Sequence, residues 1–292
     1  MDSPALRVRE ALESGLTRSE LDRRWHAPHW GIRTRVAVTT LEGRCASLMP
    51  RLPTGTRFSH ATAALLLGLP LPRRLESPER LHVATPRGHR AVDAAGVAGH
   101  ELRLRQDDCS TVGGVPVTSA ARTFRDLAAH LTIPDLLALA DAVVARDRPL
   151  ATINELREAT TRARRYRGRL KALEAVALVS DRAESRPESL LRFALVSAGL
   201  PALSVNVDVR DHGRFVARPD LRFTGYPLIV EYEGRQHALD ERQWARDLER
   251  YAQLDDLGMR VIRASASDLP HFERTVARAR AALLALGWSP LR

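Results

Sequence analysis

The stretch PLIVEYEG, residues 227–234, decides the fold class of the C-terminal third of this 292-residue chain. Its run of apolar residues between a proline and a glycine predicts a buried β-strand. Side chains alternate along a strand, so Leu228, Val230 and Tyr232 face one side while Ile229, Glu231 and Glu233 face the other. Two carboxylates therefore leave the end of a strand that otherwise looks buried, where they need a cation, an arginine or a proton.

A third carboxylate belongs to the preceding strand. The segment Arg218-Pro219-Asp220-Leu221-Arg222-Phe223 runs into the turn Thr224-Gly225-Tyr226-Pro227. If the hairpin closes at this turn, we expect Asp220 to lie near Glu231 across the strand pair. Three oxygen donors at one sheet edge suit a hard divalent cation such as Mg²⁺.

The elements around these strands predict an α/β sandwich with a mixed sheet. In chain order we expect helix 185–198, strands 203–210, 215–223 and 227–233, helix 240–257, strand 259–264 and helix 270–286.

Glu188 is a fourth candidate, because it shares one face of helix 185–198 with Leu191 and Leu195. Ser185 and Glu188 also have the spacing of a capping box, so Glu188 has two interpretations, a helix cap or a metal-site residue. Glu184 takes its place if the helix starts earlier.

Polar residues follow the acidic strand. His237 beside a bound metal or a scissile phosphate can act as a general acid or base, whereas a loop histidine alone is usually polar surface. Gln243 and Arg246 are candidates for phosphate contact, with ion pairs to Asp247 and Glu249 as the alternative.

Residues 180–288 resemble the PD-(D/E)xK nuclease superfamily, and most closely its very-short-patch-repair-like branch. The similar motifs are Arg186-Pro187-Glu188, Pro219-Asp220, Glu231-Tyr232-Glu233-Gly234, Gln236-His237, Gln243-Trp244-Ala245-Arg246-Asp247 and Gly258-Met259-Arg260-Val261-Ile262-Arg263. This resemblance implies a restriction-endonuclease-like αβββαβ core.

The resemblance also implies catalytic roles. Asp220 and Glu231 or Glu233 would hold Mg²⁺ or Mn²⁺, Glu188 would assist, and His237 would lie in the catalytic cleft. The superfamily usually has a lysine where this chain has Glu233, so a second metal on Glu233, or His237, would have to replace the ammonium group.

Charge separates the front of the chain from this domain. Residues 181–292 hold 17 arginines and 16 acidic residues, whereas the net charge of +10 comes almost entirely from residues 1–180. An anionic partner such as DNA is therefore expected to contact the front part.

A helix-turn-helix is predicted near the start of the chain. It would consist of a helix over residues 3–13, a turn at Gly15 and a second helix that begins at the capping-box spacing Thr17-Arg18-Ser19-Glu20. Its candidate DNA contacts are Arg18, Arg23 and Arg24.

The front part more loosely resembles the antitoxin of abortive-infection toxin–antitoxin systems. The similar segments are Phe58-Ser59-His60-Ala61-Thr62-Ala63-Ala64 and Pro116-Val117-Thr118-Ser119-Ala120-Ala121-Arg122-Thr123. The resemblance implies a mostly helical α+β region that begins with a winged helix-turn-helix, here degenerate, and a toxin partner encoded nearby.

Residues 152–180 read as a densely basic helix that includes Arg164 and Arg165. It is either a linker between domains or a surface that follows a phosphate backbone. The expected segments are a helix-turn-helix-like module (1–46), a small α+β region (47–150), a basic helical linker (151–180) and a nuclease-like domain (181–292).

Composition excludes other classes. The longest apolar stretch, residues 61–72, is short and contains Pro70, which excludes a membrane span. The first residues lack the pattern of a secretory signal, and two cysteines suit a reducing cytoplasm. The sequence thus predicts a cytoplasmic metal-dependent endonuclease that acts on DNA in repair or phage defence; the alternative is a DNA-binding antitoxin-like regulator whose nuclease-like domain does not cut.

Overall fold

The chain forms two compact units. The computed structural model describes residues 5–77, 79–234, 241–269 and 271–290, with only the backbone of 241–247. The first unit comprises residues 1–131 and 158–169, and the second comprises 132–157 and 170–292. Both contain a mixed sheet, so the chain is of the mixed α/β class. No helix in the described part of the chain is both long and apolar enough to cross a membrane.

The first unit begins with short elements and continues into a sheet. In chain order they are β1 (Leu6–Arg7), α1 (Val8–Glu13), α2 (Arg18–Arg24), β2 (Ile32–Arg33), α3 (Leu41–Leu48), β3 (Arg57–Phe58), α4 (His60–Leu66), α5 (Arg73–Glu76), β4 (Leu81–Pro86), β5 (Val97–Leu102), β6 (Cys109–Val112), β7 (Val115–Thr118) and α6 (Ala120–Leu127).

A five-stranded mixed sheet organises this unit. Its strand order is β5-β4-β3-β7-β6, with β4 parallel to β5 and β3 parallel to β7. Phe58, Leu81, Val83 and Val117 are fully buried on it. The unit is thus built on a sheet, where the sequence suggests a mostly helical region.

The N-terminal elements differ in part from the prediction. The capping box of α2 is confirmed, with Thr17 and Glu20 each bonding the other's backbone. The predicted helix 3–13 starts only at Val8, because Leu6 and Arg7 pair as a strand with Arg33 and Ile32.

Three helices follow α6 in the chain: α7 (Ile133–Val144), α8 (Ile153–Arg162) and α9 (Arg169–Ala177). The predicted continuous basic helix over 152–180 is wrong. Residues 163–168 are non-helical, and Arg164 and Arg165 are exposed there. The backbone turns at Gly168, which has φ +84°.

The second unit contains α10 (Arg186–Ser197), β8 (Leu203–Val205), β9 (Val209–Asp211), β10 (Arg214–Ala217), β11 (Leu221–Phe223), β12 (Leu228–Glu233), α11 (Glu241–Asp256), β13 (Arg260–Ser265) and α12 (Glu273–Ala285). Its four-stranded sheet has the order β13-β12-β11-β8, with β12 parallel to β13 and the other pairs antiparallel. The predicted turn at 224–227 joins β11 to β12.

Two predicted strands are each broken in the structure. Strand 203–210 splits into β8 and β9 at Asn206, which has a left-handed φ of +45°. Strand 215–223 splits into β10 and β11 at Pro219, which has no N–H for a ladder. The amide of Asn206 donates to the carbonyl of Asp220 at 3.0 Å, so the two breaks lie side by side.

A buried ion pair joins α7 to α10. Arg192 Nη2 lies 2.5 Å from Asp141 Oδ2, which also accepts from Ser189 Oγ at 2.6 Å. Because this pair packs α7 with the C-terminal sheet unit, the predicted segments 1–46, 47–150, 151–180 and 181–292 do not coincide with the two units.

Candidate active site

The pleat of β12 places Glu231 on the side of α11. Leu228 and Val230 pack in the cluster with α10 and α12, whereas Ile229 packs with Leu254 of α11. Glu231 follows Ile229 on that face and is only 5% exposed. The predicted alternation along this strand is therefore confirmed.

Arg250 and Tyr251 of α11 surround the carboxylate of Glu231. Arg250 Nη1 donates to Oε1 at 2.8 Å and Nη2 to Oε2 at 3.3 Å, and the Tyr251 hydroxyl donates to Oε2 at 2.9 Å. Burial and the charge of Glu231 raise the pKa of Tyr251, which keeps its hydroxyl protonated as a donor. The sequence predicts a metal cation, an arginine or a proton as the partner of this buried acid, and the structure supplies an arginine.

Asp220 lies next to the acidic strand. The register that pairs Leu221 with Val230 brings Asp220 level with Glu231, and Asp220 Oδ2 accepts from the amide of Tyr232 at 2.7 Å. Burial, followed by the negative charge of Glu188, raises the pKa of Asp220 to about 7, and the charge of Glu231 acts in the same direction. Three carboxylates therefore interact here.

Glu188 is buried at the start of α10. Ser185 caps this helix by accepting from the amide of Glu188 at 3.3 Å. The carboxylate does not close the box on Ser185; its Oε2 accepts from the amide of Glu184 at 3.0 Å and from Asn206 Nδ2 at 3.0 Å. Half of the predicted capping box is thus present, and Glu184 itself is exposed.

Asn206 is a site residue that sequence reasoning missed. Its side chain donates to Glu188 while its amide donates to the Asp220 carbonyl, so it links two of the acids. The only sequence signal was an asparagine inside an apolar, strand-like run, since asparagine tolerates a left-handed backbone.

Glu233 leaves the strand closer to solvent. Its Oε1 lies 3.2 Å from Arg263 Nε of the neighbouring parallel strand β13, and its side chain is 44% exposed. Arg263 also stacks over the Tyr251 ring at 4.0 Å. The structure therefore does not gather Glu233 with the buried carboxylates, although it lies on the same strand face as Glu231.

His237 lies outside the described residues. Gln243 and Arg246 belong to α11, but their side chains lie outside what the structure describes. Within the described ranges, the three acids do not form a group whose ligand oxygens all lie within 4.8 Å of one another; His60, His82 and His100 do.

A cleft of about 1080 Å³ in the first unit is lined by basic side chains. Its arginines are Arg7, Arg9, Arg18, Arg33, Arg44 and Arg51. Trp30 lines it with 77% of its surface exposed, and Arg51 stacks on its ring at 4.7 Å. Of the three arginines predicted as contacts of the helix-turn-helix, Arg18 lines the cleft, whereas Arg23 and Arg24 are exposed at the end of α2 and do not line it.

Comparison with known proteins finds similar proteins from Mycobacterium tuberculosis. Two Mycobacterium tuberculosis proteins, Uncharacterized protein MT2308 and Uncharacterized protein Rv2248, are each 28% identical over 211 residues, which is 71% of this chain and 73% of theirs. The crystal structure of RV2827C protein from Mycobacterium tuberculosis aligns with a TM-score of 0.43 and 16% identity, over 65% of this chain and 75% of that one. No protein-family model matches the chain.

Proposed function

We propose that the protein is a metal-dependent endonuclease acting on DNA, with its catalytic centre at Glu188, Asp220 and Glu231. The observation that carries the proposal is the placement of three acids side by side: Asn206 bonds both Glu188 and the Asp220 backbone, and the strand register sets Asp220 level with the buried Glu231. The charges of Glu188 and Glu231 then help to raise the pKa of Asp220. Strongly perturbed acids near other acids are typical of functional sites, because folding gains nothing from crowding like charges.

The donor set fits a hard divalent cation such as Mg²⁺ or Mn²⁺ in part. Asp220 Oδ2 and Glu188 Oε2 are held by amide donors, while Asp220 Oδ1 and Glu188 Oε1 accept no hydrogen bond from the part of the chain described. Oxygen ligands fixed in this way suit such ions. When bound, the cation would lower the pKa of an attacking water and neutralise the phosphoryl charge.

Glu231 needs a rearrangement before it can join such a site, because both of its oxygens are occupied by Arg250 and Tyr251. A cation is a competitor of Arg250 for this carboxylate. Asp220 and Glu188 are therefore the first ligands in our proposal. Glu231 becomes a ligand only when the cation replaces Arg250 as its partner. Glu233 and His237 remain candidates to activate water at the position where the superfamily has lysine.

The ion pair between Arg250 and Glu231 favours a second function. If Arg250 permanently satisfies Glu231, the domain is a nuclease-like scaffold that does not cut, and the chain acts by binding DNA as an antitoxin-like regulator. The arginine-lined cleft with its exposed Trp30 supports DNA binding in either case, since arginines neutralise phosphates and an indole ring stacks on bases.

Plasmid nicking separates the two functions. The full chain is assayed with Mg²⁺ and with Mn²⁺, beside Asp220→Asn, Glu188→Gln and the control Asp255→Asn, an exposed acid on α11. Loss of a metal ligand should reduce cleavage by about 100-fold or more, because even outer-shell partners contribute 10- to 100-fold. Identical background cleavage by all four proteins would exclude the enzyme; DNA binding that Asp220→Asn leaves unchanged would then support the regulator.

A further inference from the structure

Three histidines from separate elements meet in the first unit. His60 is the first residue of α4, His82 lies in β4 and His100 lies in the adjacent parallel strand β5. One ring nitrogen from each lies within 4.8 Å of the other two. In the described ranges no other set of three histidine, cysteine or acidic side chains reaches this spacing.

The rings are in direct contact. His82 Nδ1 lies 2.9 Å from His100 Nε2, and the ring centroids of His60 and His100 are 3.9 Å apart. Ligand nitrogens of a tetrahedral zinc ion lie about 3.3 Å apart, given Zn–N bonds of about 2.0–2.1 Å. The His82 and His100 nitrogens already lie near that separation, so a bound ion would replace the hydrogen bond between them.

The backbone around His60 holds the cluster in place. His60 has a left-handed φ of +50°, a strained conformation for a residue with a Cβ. The amide of Ser59 donates to the His82 carbonyl at 2.9 Å, and the His82 amide donates to Thr62 Oγ1 at 2.8 Å. Strain that the surroundings over-determine in this way is typical of ligand sites.

Ser59 also orients the His60 ring. Ser59 stands at the N-cap position of α4, yet its side chain caps no amide. Its hydroxyl lies 3.0 Å from His60 Nδ1 instead. Metal-binding histidines usually engage one nitrogen with such a second partner, which directs the other nitrogen at the ion. Here that leaves Nε2 of His60 for a ligand.

We propose that His60, His82 and His100 bind one transition-metal ion, and that the ion is Zn²⁺. Imidazole nitrogens suit zinc, whereas magnesium requires oxygen ligands, so this site is chemically distinct from the carboxylates of the second unit. His60 is buried and His82 and His100 are half-buried, so the site is largely enclosed by the unit that holds it.

His130 lies next to the other three histidines, and it has to be considered as a fourth ligand. The ring of His130, an exposed residue, stands edge-on to His60 with 5.9 Å between the centroids. Three protein ligands with an accessible fourth position are typical of zinc sites that bind water or a substrate. We assign this position to water, so removal of His130 should leave zinc bound.

Metal content and metal titration test the site. The full chain, stripped with a chelator, is titrated with Zn²⁺ by calorimetry, beside His82→Gln/His100→Gln, His130→Ala and the control His89→Ala, an exposed histidine of the same unit. We expect one zinc per wild-type chain, unchanged binding in both single variants and at least about 100-fold weaker binding in the double variant, since even outer-shell changes cost 10- to 100-fold.

Two further measurements keep the test decisive. Asp220→Asn should retain its zinc, which separates this site from the proposed nuclease centre. Co²⁺ in place of zinc should give the visible spectrum of a nitrogen-coordinated ion in wild type, a readout that needs no variant to fold. Absence of tight zinc binding in wild type, or equal binding by a folded double variant, would overturn the proposal.

Discussion

Arg250 holds the carboxylate of Glu231 by two hydrogen bonds, Nη1 to Oε1 at 2.8 Å and Nη2 to Oε2 at 3.3 Å. The glutamate side chain is 7% exposed and that of the arginine 27%. Such a pair adds little net stability relative to apolar residues, but removal of one partner leaves a buried charge uncompensated. Removal of one partner alone should therefore cost more stability than replacement of both.

Arg250→Met should lower the free energy of unfolding by about 3 kcal/mol, because Glu231 would stay buried without its cation. The double variant Glu231→Gln/Arg250→Met should recover much of that loss, since the charge is gone. Urea unfolding of both proteins measures the difference, with the exposed Arg274→Met as control. A double variant as unstable as Arg250→Met alone would show that the ion pair is not the cause.

Asp220 should make stability depend on pH in the metal-free protein. Its pKa in the folded state is about 7, above the ordinary value of a carboxyl group, so the folded state keeps the proton after the unfolded chain has lost it. The free energy of unfolding should then fall as pH rises from about 4 to about 7, by about 2–4 kcal/mol at 1.4 kcal/mol per unit.

Asp220→Asn removes this titration, so the comparison isolates it from other groups. Unfolding is measured in chelator at pH 5 and pH 8, and the variant should lose less stability than wild type over that interval. Equal losses would place the pKa of Asp220 near its ordinary value and would contradict the electrostatic interaction of the three acids in the proposed active site.

Local patterns predicted the C-terminal elements well but not their breaks. The alternation along β12 and the Ser185 cap depend on neighbouring residues, and both are present. The interruption at Asn206 depends on its partners Glu188 and Asp220, which are distant in sequence. Likewise, the pairing of Glu231 with Arg250 requires α11 to pack on β12, which no spacing in the sequence specifies.

The histidine cluster was invisible to sequence reasoning for the same reason. His60, His82 and His100 show no ligand spacing along the chain. They meet only because β4 pairs in parallel with β5 and because Ser59 and Thr62 bind the backbone of His82. His60 lies in residues 58–64, a segment that resembles the antitoxin family, but that resemblance implies no metal site.

Gly168→Ala should destabilise the first unit by about 2 kcal/mol or more. Gly168 has φ +84°, and a Cβ there would lie 2.2 Å from the Ala128 carbonyl oxygen, a backbone atom that has little freedom to move. Gly88→Ala is the matched control, with φ +93° and nothing within 4 Å of the added carbon. Thermal unfolding compares them; equal shifts would mean that residues 158–169 do not pack closely against this unit.

The arginine-lined cleft should dominate affinity for DNA if the front unit binds phosphates. Arg9, Arg18 and Arg44 line it, and their joint replacement by glutamine removes three positive charges. Each lost phosphate contact lowers the slope of log affinity against log salt by about 0.9 on duplex DNA, so the slope should fall by about 2–3. Fluorescence anisotropy with a labelled duplex at several salt concentrations measures it.

A second triple variant controls for net charge. It removes the same charge from exposed positions outside the cleft lining, Arg73→Gln/Arg87→Gln/Arg90→Gln, and should change the slope much less. Equal slopes for the two triple variants would mean that DNA responds only to the net charge of the chain, and the cleft would then have no specific part in binding.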